Sequence, residues 1–189
     1  RWSFSWQRPS YHNVYGEFGQ ICQLSYTEGG NFMTQQECYM MEALELAREA
    51  ATEGEVPVGC VIVQDGRIIG RGRNRREENG DATAHAELEA IRDACRRLGS
   101  WRLHRCTMYV TLEPCPMCAG GIINARIGTV RYGAKDDKAG ACGSVLNLFE
   151  ERFNHRPRLY RGPMEAECGR ALRAFFEDLR EKDGFSEEI

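Results

Sequence analysis

Residues 35–182 predict an α/β layered fold built around one mixed sheet. Two observations carry this. Apolar residues recur at helical spacing in long stretches, and short apolar runs of strand length alternate with those stretches. A hairpin turn joins the first two short runs, so strands of both directions share a sheet, and helices must cover its faces.

The elements follow in order. Met40, Met41, Leu44, Ala47 and Ala51 fall at helical spacing and predict a first helix over about 35–53. Val58 to Gln64 and Arg67 to Arg73 read as strands joined by Asp65-Gly66, a strong hairpin turn signal. A second helix is expected over about 84–98, ending near Gly99. Thr107 to Leu112 reads as a buried strand. A third helix is expected over about 115–125, with Pro116 suited to its first turn. Gly128 to Tyr132 reads as a further strand, followed by a Gly-rich loop (Gly133 to Gly143), a short helix and a connector. The last helix covers about 165–182, with Ala171, Leu172, Phe175, Phe176 and Leu179 on its apolar face.

The chain has 189 residues, the length of one domain, and its 42% hydrophobic content suits a packed core. A formal net charge of -3 gives no sign of a nucleic-acid binder, although local basic patches are compatible with it. Nine cysteines leave at least one unpaired in any disulfide scheme. Cys60, inside Val58-Gly59-Cys60-Val61-Ile62-Val63, reads as a free core thiol. No stretch reaches the length of a membrane span, and a reducing, cytoplasmic setting is expected.

Residues 1–32 differ from the rest. They hold eight aromatics and no clear periodicity, and the chain begins at Arg1. They are expected to be an extension, disordered or not native to the domain, with Met33 as the natural start and the functional domain over 33–189. A genuine, family-variable extension is the alternative.

Two segments carry chemistry: Thr83-Ala84-His85-Ala86-Glu87 and Glu113-Pro114-Cys115-Pro116-Met117-Cys118. Cys115 and Cys118 are three apart, so on a helix they share a face and can grip one ion. Both would sit in a first helical turn, where the positive helix end favours the thiolate. His85 supplies a third ligand, and a catalytic zinc site leaves the fourth position for water. Glu87 lies two residues from His85, on a different side of the helix, free to act as a proton shuttle. Alone, a C-x-x-C is also a structural zinc or redox motif, and H-A-E is also a helix with a surface histidine. A structural site would want a fourth Cys or His, and a redox motif would not need His85. Together, about thirty residues apart, they form the signature of the zinc-dependent nucleobase deaminases.

That chemistry leaves cytosine, guanine or adenine open as the base. From about Gln35 to Lys182 the sequence closely resembles the bacterial tRNA-specific adenosine deaminases. The resemblance rests on Glu55-Val56-Pro57-Val58-Gly59, Asn74, and the stretch from Tyr109 to Gly120. Downstream it rests on Gly133-Ala134-Lys135-Asp136-Asp137-Lys138-Ala139-Gly140, Gly143-Ser144 and Asn154-His155-Arg156. It implies a three-layer α/β/α cytidine deaminase-like fold with a five-stranded mixed sheet. His85, Cys115 and Cys118 would hold one Zn²⁺, and Glu87 would be the general acid/base. Asn74 would hold a flipped adenosine, Val56 and Pro57 would wall the base, and backbone groups near Ala86 and Pro114 would read its edge. Asp136 and Lys138 would contact flanking nucleotides, and His155 and Arg156 would lie beside the anticodon loop. The implied reaction is hydrolytic conversion of adenosine to inosine at the tRNA wobble position by a zinc-activated water. A homodimer in which each site borrows residues from its neighbour is implied as well.

Several of these residues have simpler readings. Asn74 could cap a turn, 136–140 could be a polar loop, and His155-Arg156 a solvated pair. The run Arg67, Arg71, Arg73, Arg75, Arg76 reads as an RNA face leading into Asn74. The last helix, with Glu177, Asp178 and Glu181, is less basic than in relatives and leaves Arg180 and Lys182 as its candidate contacts. The rival functions are a guanine, cytosine or nucleoside deaminase, and a non-catalytic zinc-stabilised RNA-binding protein.

Overall fold

The computed structural model describes residues 33–182; the expected 1–32 extension and residues 183–189 lie outside the described residues. Helix α1 (Gln35–Thr52) opens with a reciprocal capping box. The Thr34 hydroxyl accepts the Glu37 N–H, and the Glu37 carboxylate accepts the Thr34 N–H. Strands β1 (Gly59–Gln64) and β2 (Arg67–Arg73) form the expected hairpin. Asp65 and Gly66 both take positive φ, 48° and 78°, as the favoured two-residue hairpin turn requires. A single turn, α2 (Arg76–Asn79), precedes α3 (Ala86–Leu98). Strand β3 (Thr107–Leu112), helix α4 (Pro116–Asn124) and strand β4 (Thr129–Ala134) follow. A 3₁₀ turn (Leu148–Glu150), β5 (Arg158–Arg161) and α5 (Glu165–Lys182) complete the described chain.

The strands lie in the order β2-β1-β3-β4-β5. β1 is antiparallel to β2 and β3, while β3, β4 and β5 run parallel, so the sheet is mixed and five-stranded as expected. Alternation along β1 assigns the faces. Cys60 and Ile62 pack in one cluster with Ala86, Ala90 and Ala94 of α3 and Ala119 and Ile122 of α4. Val61 and Val63 pack in a second with Met40, Ala43 and Leu44 of α1 and Cys168 and Ala171 of α5. Helices on both faces make the three layers.

Two elements lie outside the expected pattern. The four residues of β5, Arg158-Leu159-Tyr160-Arg161, bury only Leu159 in part, so they form an edge strand with no apolar alternation to see. α2 buries nothing and is held by hydrogen bonds of its backbone, one of them to the Glu55 carboxylate. Gly133 belongs to β4 rather than to the loop after it.

The pairing also explains where a site can form. The start of β1 lies beside the ends of β2 and β3 (Gly59↔Arg73, Cys60↔Val110), and β4 ends level with β3 (Leu112↔Ala134). Segments 56–58, 74–76, 113–115 and 135–139 therefore all emerge at one end of the sheet. The N-terminus of α3 approaches the same end, because Gly72 on β2 packs directly under it. A Cβ at Gly72 would lie 2.2 Å from the Ala86 carbonyl oxygen.

Candidate active site

A cavity of about 220 Å³ opens at this end of the sheet. It is lined by Val56 and Val58 before β1, Asn74 and Arg76 after β2, and His85, Ala86 and Glu87 at the start of α3. Leu112 at the end of β3, Glu113 and Cys115 after it, and Asp136 and Ala139 after β4 close the wall.

His85 is the N-cap residue of α3 and Cys115 that of α4. Neither helix start is capped by a side chain, so first-turn N–H groups favour negative charge there. His85 Nδ1 lies 3.7 Å from Cys115 Sγ and 3.5 Å from Cys118 Sγ. All three candidate ligand atoms fall within 4.8 Å of one another. Zinc bonds of the usual length at tetrahedral angles place N and S about 3.6 Å apart. The group therefore fits a tetrahedral ion with three protein ligands, and could hold a metal.

The three candidate donors differ in protonation before an ion arrives. The hydrogen bond from Cys118 draws the Cys115 thiol down to about 4, with His85 adding to the effect. The same hydrogen bond, with burial, keeps the proton on Cys118. His85 is raised by its bond to Cys115. Glu87, 4% exposed, is raised to about 7, chiefly by burial. A carboxyl group near neutrality, lining the cavity beside the three candidate ligands, can both take and return a proton.

Two buried carboxylates hold the cavity wall. Glu113, 2% exposed, accepts the N–H groups of Asp136 (3.2 Å), Cys142 (2.8 Å) and Ser144 (3.1 Å), and the Ser144 hydroxyl. Burial opposes its charge, but the bonds from Ser144, Asp136 and Cys142 outweigh it and hold the group below its ordinary range. Glu55 accepts from Asn74 Nδ2 at 3.2 Å and from the Glu78 N–H at 2.9 Å, fixing the amide and the α2 turn together. The sequence motifs include Glu55 and Glu113 but assign them no role. The available signal is slight: each carboxylate stands within two residues of a proline and next to an apolar residue, Val56 or Leu112.

The other expected residues divide. Val56, Asn74, Ala86 and Asp136 line the cavity. Pro57 and Pro114 are buried behind it, and the Pro114 carbonyl accepts the Ala141 N–H at 2.8 Å. Lys138 is exposed outside the lining, its backbone N–H bonded to Asp136 Oδ1. His155 and Arg156 are not brought to this cavity. His155 Nε2 lies 2.6 Å from the Ile127 carbonyl oxygen, beyond the start of β4, whereas the cavity lies beyond its end. The six-residue strand separates the two by roughly 17 Å or more. Three of the five arginines in the run have carboxylate partners: Arg71 pairs with Glu42, and Arg73 and Arg75 both pair with Glu78.

The MafB19-like deaminase family matches residues 34–180. The tRNA-specific adenosine deaminase of Bacillus subtilis (strain 168) is 51% identical over 151 residues, covering 79% of this chain and 94% of the relative. The chain belongs to the tRNA-specific adenosine deaminase family. A structure solved in a study of A-to-I editing by tRNA:A34 deaminases superposes on this deaminase with a TM-score of 0.69. It is 47% identical, over 71% of this chain and 98% of that one. A Bacillus subtilis guanine deaminase structure is more distant: 33% identity, TM-score 0.53, over 83% of this deaminase and 98% of that chain.

Proposed function

We propose that this deaminase converts adenosine to inosine at the wobble position of tRNA anticodons. The observation that carries the reading is the juxtaposition in one cavity of a His85-Cys115-Cys118 cradle with the buried carboxyl of Glu87. Identity to tRNA-specific adenosine deaminases, well above that to the guanine deaminase, supports adenosine over guanine.

His85, Cys115 and Cys118 would hold one zinc ion, which when bound activates a water for attack on a ring carbon. The protein's own groups do the rest. Val56 and Asn74 hold the flipped base in the cavity. Glu87 accepts the water's proton, delivers it to N1 of the adenine ring as water adds to C6, and then helps the amino group leave as ammonia. Ala86 and the uncapped start of α3 face the base edge, and Asp136 the flanking chain. Lys138 is proposed as a contact to flanking RNA outside the cavity.

The test is inosine formation in an arginine tRNA anticodon stem-loop, with free guanine, cytosine and nucleosides as competitors for the role. Glu87→Ala should keep metal and fold and lose nearly all turnover. Cys115→Ala should lose metal as well. Full activity in the first variant, or unchanged metal content in the second, refutes the assigned roles.

The reading extends to a homodimer. His155 and Arg156 lie at the far end of the parallel strands from their own cavity, which supports a role at the neighbour's anticodon loop. Light scattering should give twice the 21.5 kDa chain mass; a monomer at working concentration argues against it. Among the described residues no helix is long and apolar enough to cross a membrane. Seven free thiols there support a cytoplasmic setting, testable by fractionation. The functional domain is proposed to span 33–189, preceded by an extension dispensable for turnover, which trimming to Met33 would check.

A further inference from the structure

The charged side chains lining the cavity are mostly carboxyl groups. Glu87, Glu113 and Asp136 contribute carboxyl groups, and Arg76 is the only Lys or Arg among its lining residues. An anionic polymer entering such a mouth meets like charge unless a cation offsets it.

Arg76 differs from its neighbours in being uncommitted. Arg71, Arg73 and Arg75 are occupied by Glu42 and Glu78, whereas no carboxylate among the described residues pairs with Arg76, which is exposed. Its backbone is nonetheless fixed. The Asp81 N–H bonds to the Arg76 carbonyl at 3.1 Å, and the Arg75 N–H to Ala84 at 3.0 Å. Two residues on, Glu55 holds the Glu78 N–H. A guanidinium with no carboxylate partner, carried on an anchored turn at the rim, can donate to phosphate oxygens, which its planar fork matches.

We propose that Arg76 binds a backbone phosphate next to the flipped nucleotide, and so makes the cavity select a polynucleotide over a free nucleoside or base. This rests on the RNA-deaminase reading above.

The experiment uses the full zinc-loaded chain and an anticodon stem-loop, with KM and kcat measured from low to physiological salt. Arg76→Ala should raise KM about ten- to a hundredfold, the range for losing one charge-assisted hydrogen bond. It should also flatten the plot of log affinity against log salt by about 0.7, one single-strand phosphate. kcat, metal content and thermal midpoint should stay as in the wild type. Arg76→Lys should restore the slope, because the charge returns. A KM and slope unchanged in Arg76→Ala, or a slope in Arg76→Lys as flat as in Arg76→Ala, overturns the proposal while leaving the RNA-deaminase reading intact. Absence of inosine with the wild-type protein overturns that reading, and this proposal with it.

Discussion

Glu113 shows how a single side chain can organise a wall. Its two oxygens receive three backbone N–H groups and one hydroxyl from both ends of the loop after β4. Removing the carboxylate strands those donors in the interior. Glu113→Ala should therefore cost about 3 kcal/mol in urea unfolding. The pH dependence has a definite sign. The folded-state pKa is depressed, so this contribution is fully present above the unfolded value of about 4.3 and is lost as pH falls through the lower, folded one. The gap between wild type and Glu113→Ala should narrow in acid; a gap constant down to the acid transition would show that the carboxylate charge is not what binds the loop. Its role was hidden in the sequence for a physical reason. The partners lie 23 to 31 residues away and are mostly backbone groups, which carry no side-chain identity to read. His85, Glu87, Cys115 and Cys118 were legible because their chemistry depends on side-chain type and short spacing.

At the scale of elements, legibility followed buried apolar surface. α1 and α5 each present a periodic stripe, and β1 and β3 are almost wholly buried, so composition marks them. β5 and α2 bury little and are specified by the sheet and by backbone hydrogen bonds. α3 depends on both kinds of signal. Its alanines face the sheet, and Gly72 on β2 lets the helix backbone approach to where no side chain fits. A Cβ at Gly72 would meet the backbone of Ala86 and of Ala90 at 2.2 and 2.4 Å, and neither can swing aside as a side-chain tip could. Gly72→Ala should lift the start of α3 off the sheet. Overpacking of this kind costs about 1–3 kcal/mol. Because His85 and Glu87 ride on that helix start, activity should fall well beyond what the lost stability explains. Measuring kcat at a temperature where the variant remains fully folded separates the two effects. Wild-type kcat there would mean that the approach of helix to strand does not set the site.

For the whole molecule, the candidate metal site joins two helices on one face of the sheet. His85 heads α3 and Cys115 heads α4, and both helices pack in the same core cluster. An ion between them binds the folded state alone, so it should add to stability, by about 4 kcal/mol at a thousandfold excess over its dissociation constant. Binding also has a proton cost that the metal-free group makes predictable. Cys115 is a thiolate already, at about 4, and contributes no proton at neutral pH. Cys118 is held protonated and must release its proton to ligate, while His85, raised above its usual value, releases a fraction of one. Glu87, near 7, gives up a further fraction when a cation arrives beside it. Zinc uptake by the chelator-stripped protein should thus release more than one proton near pH 7, visible as heats that change with the ionisation enthalpy of the buffer. Since acid returns those protons, affinity should fall more than about tenfold for each pH unit lowered in that region. Buffer-independent heats, with affinity flat across neutral pH, would mean that all three ligands are deprotonated before the ion arrives.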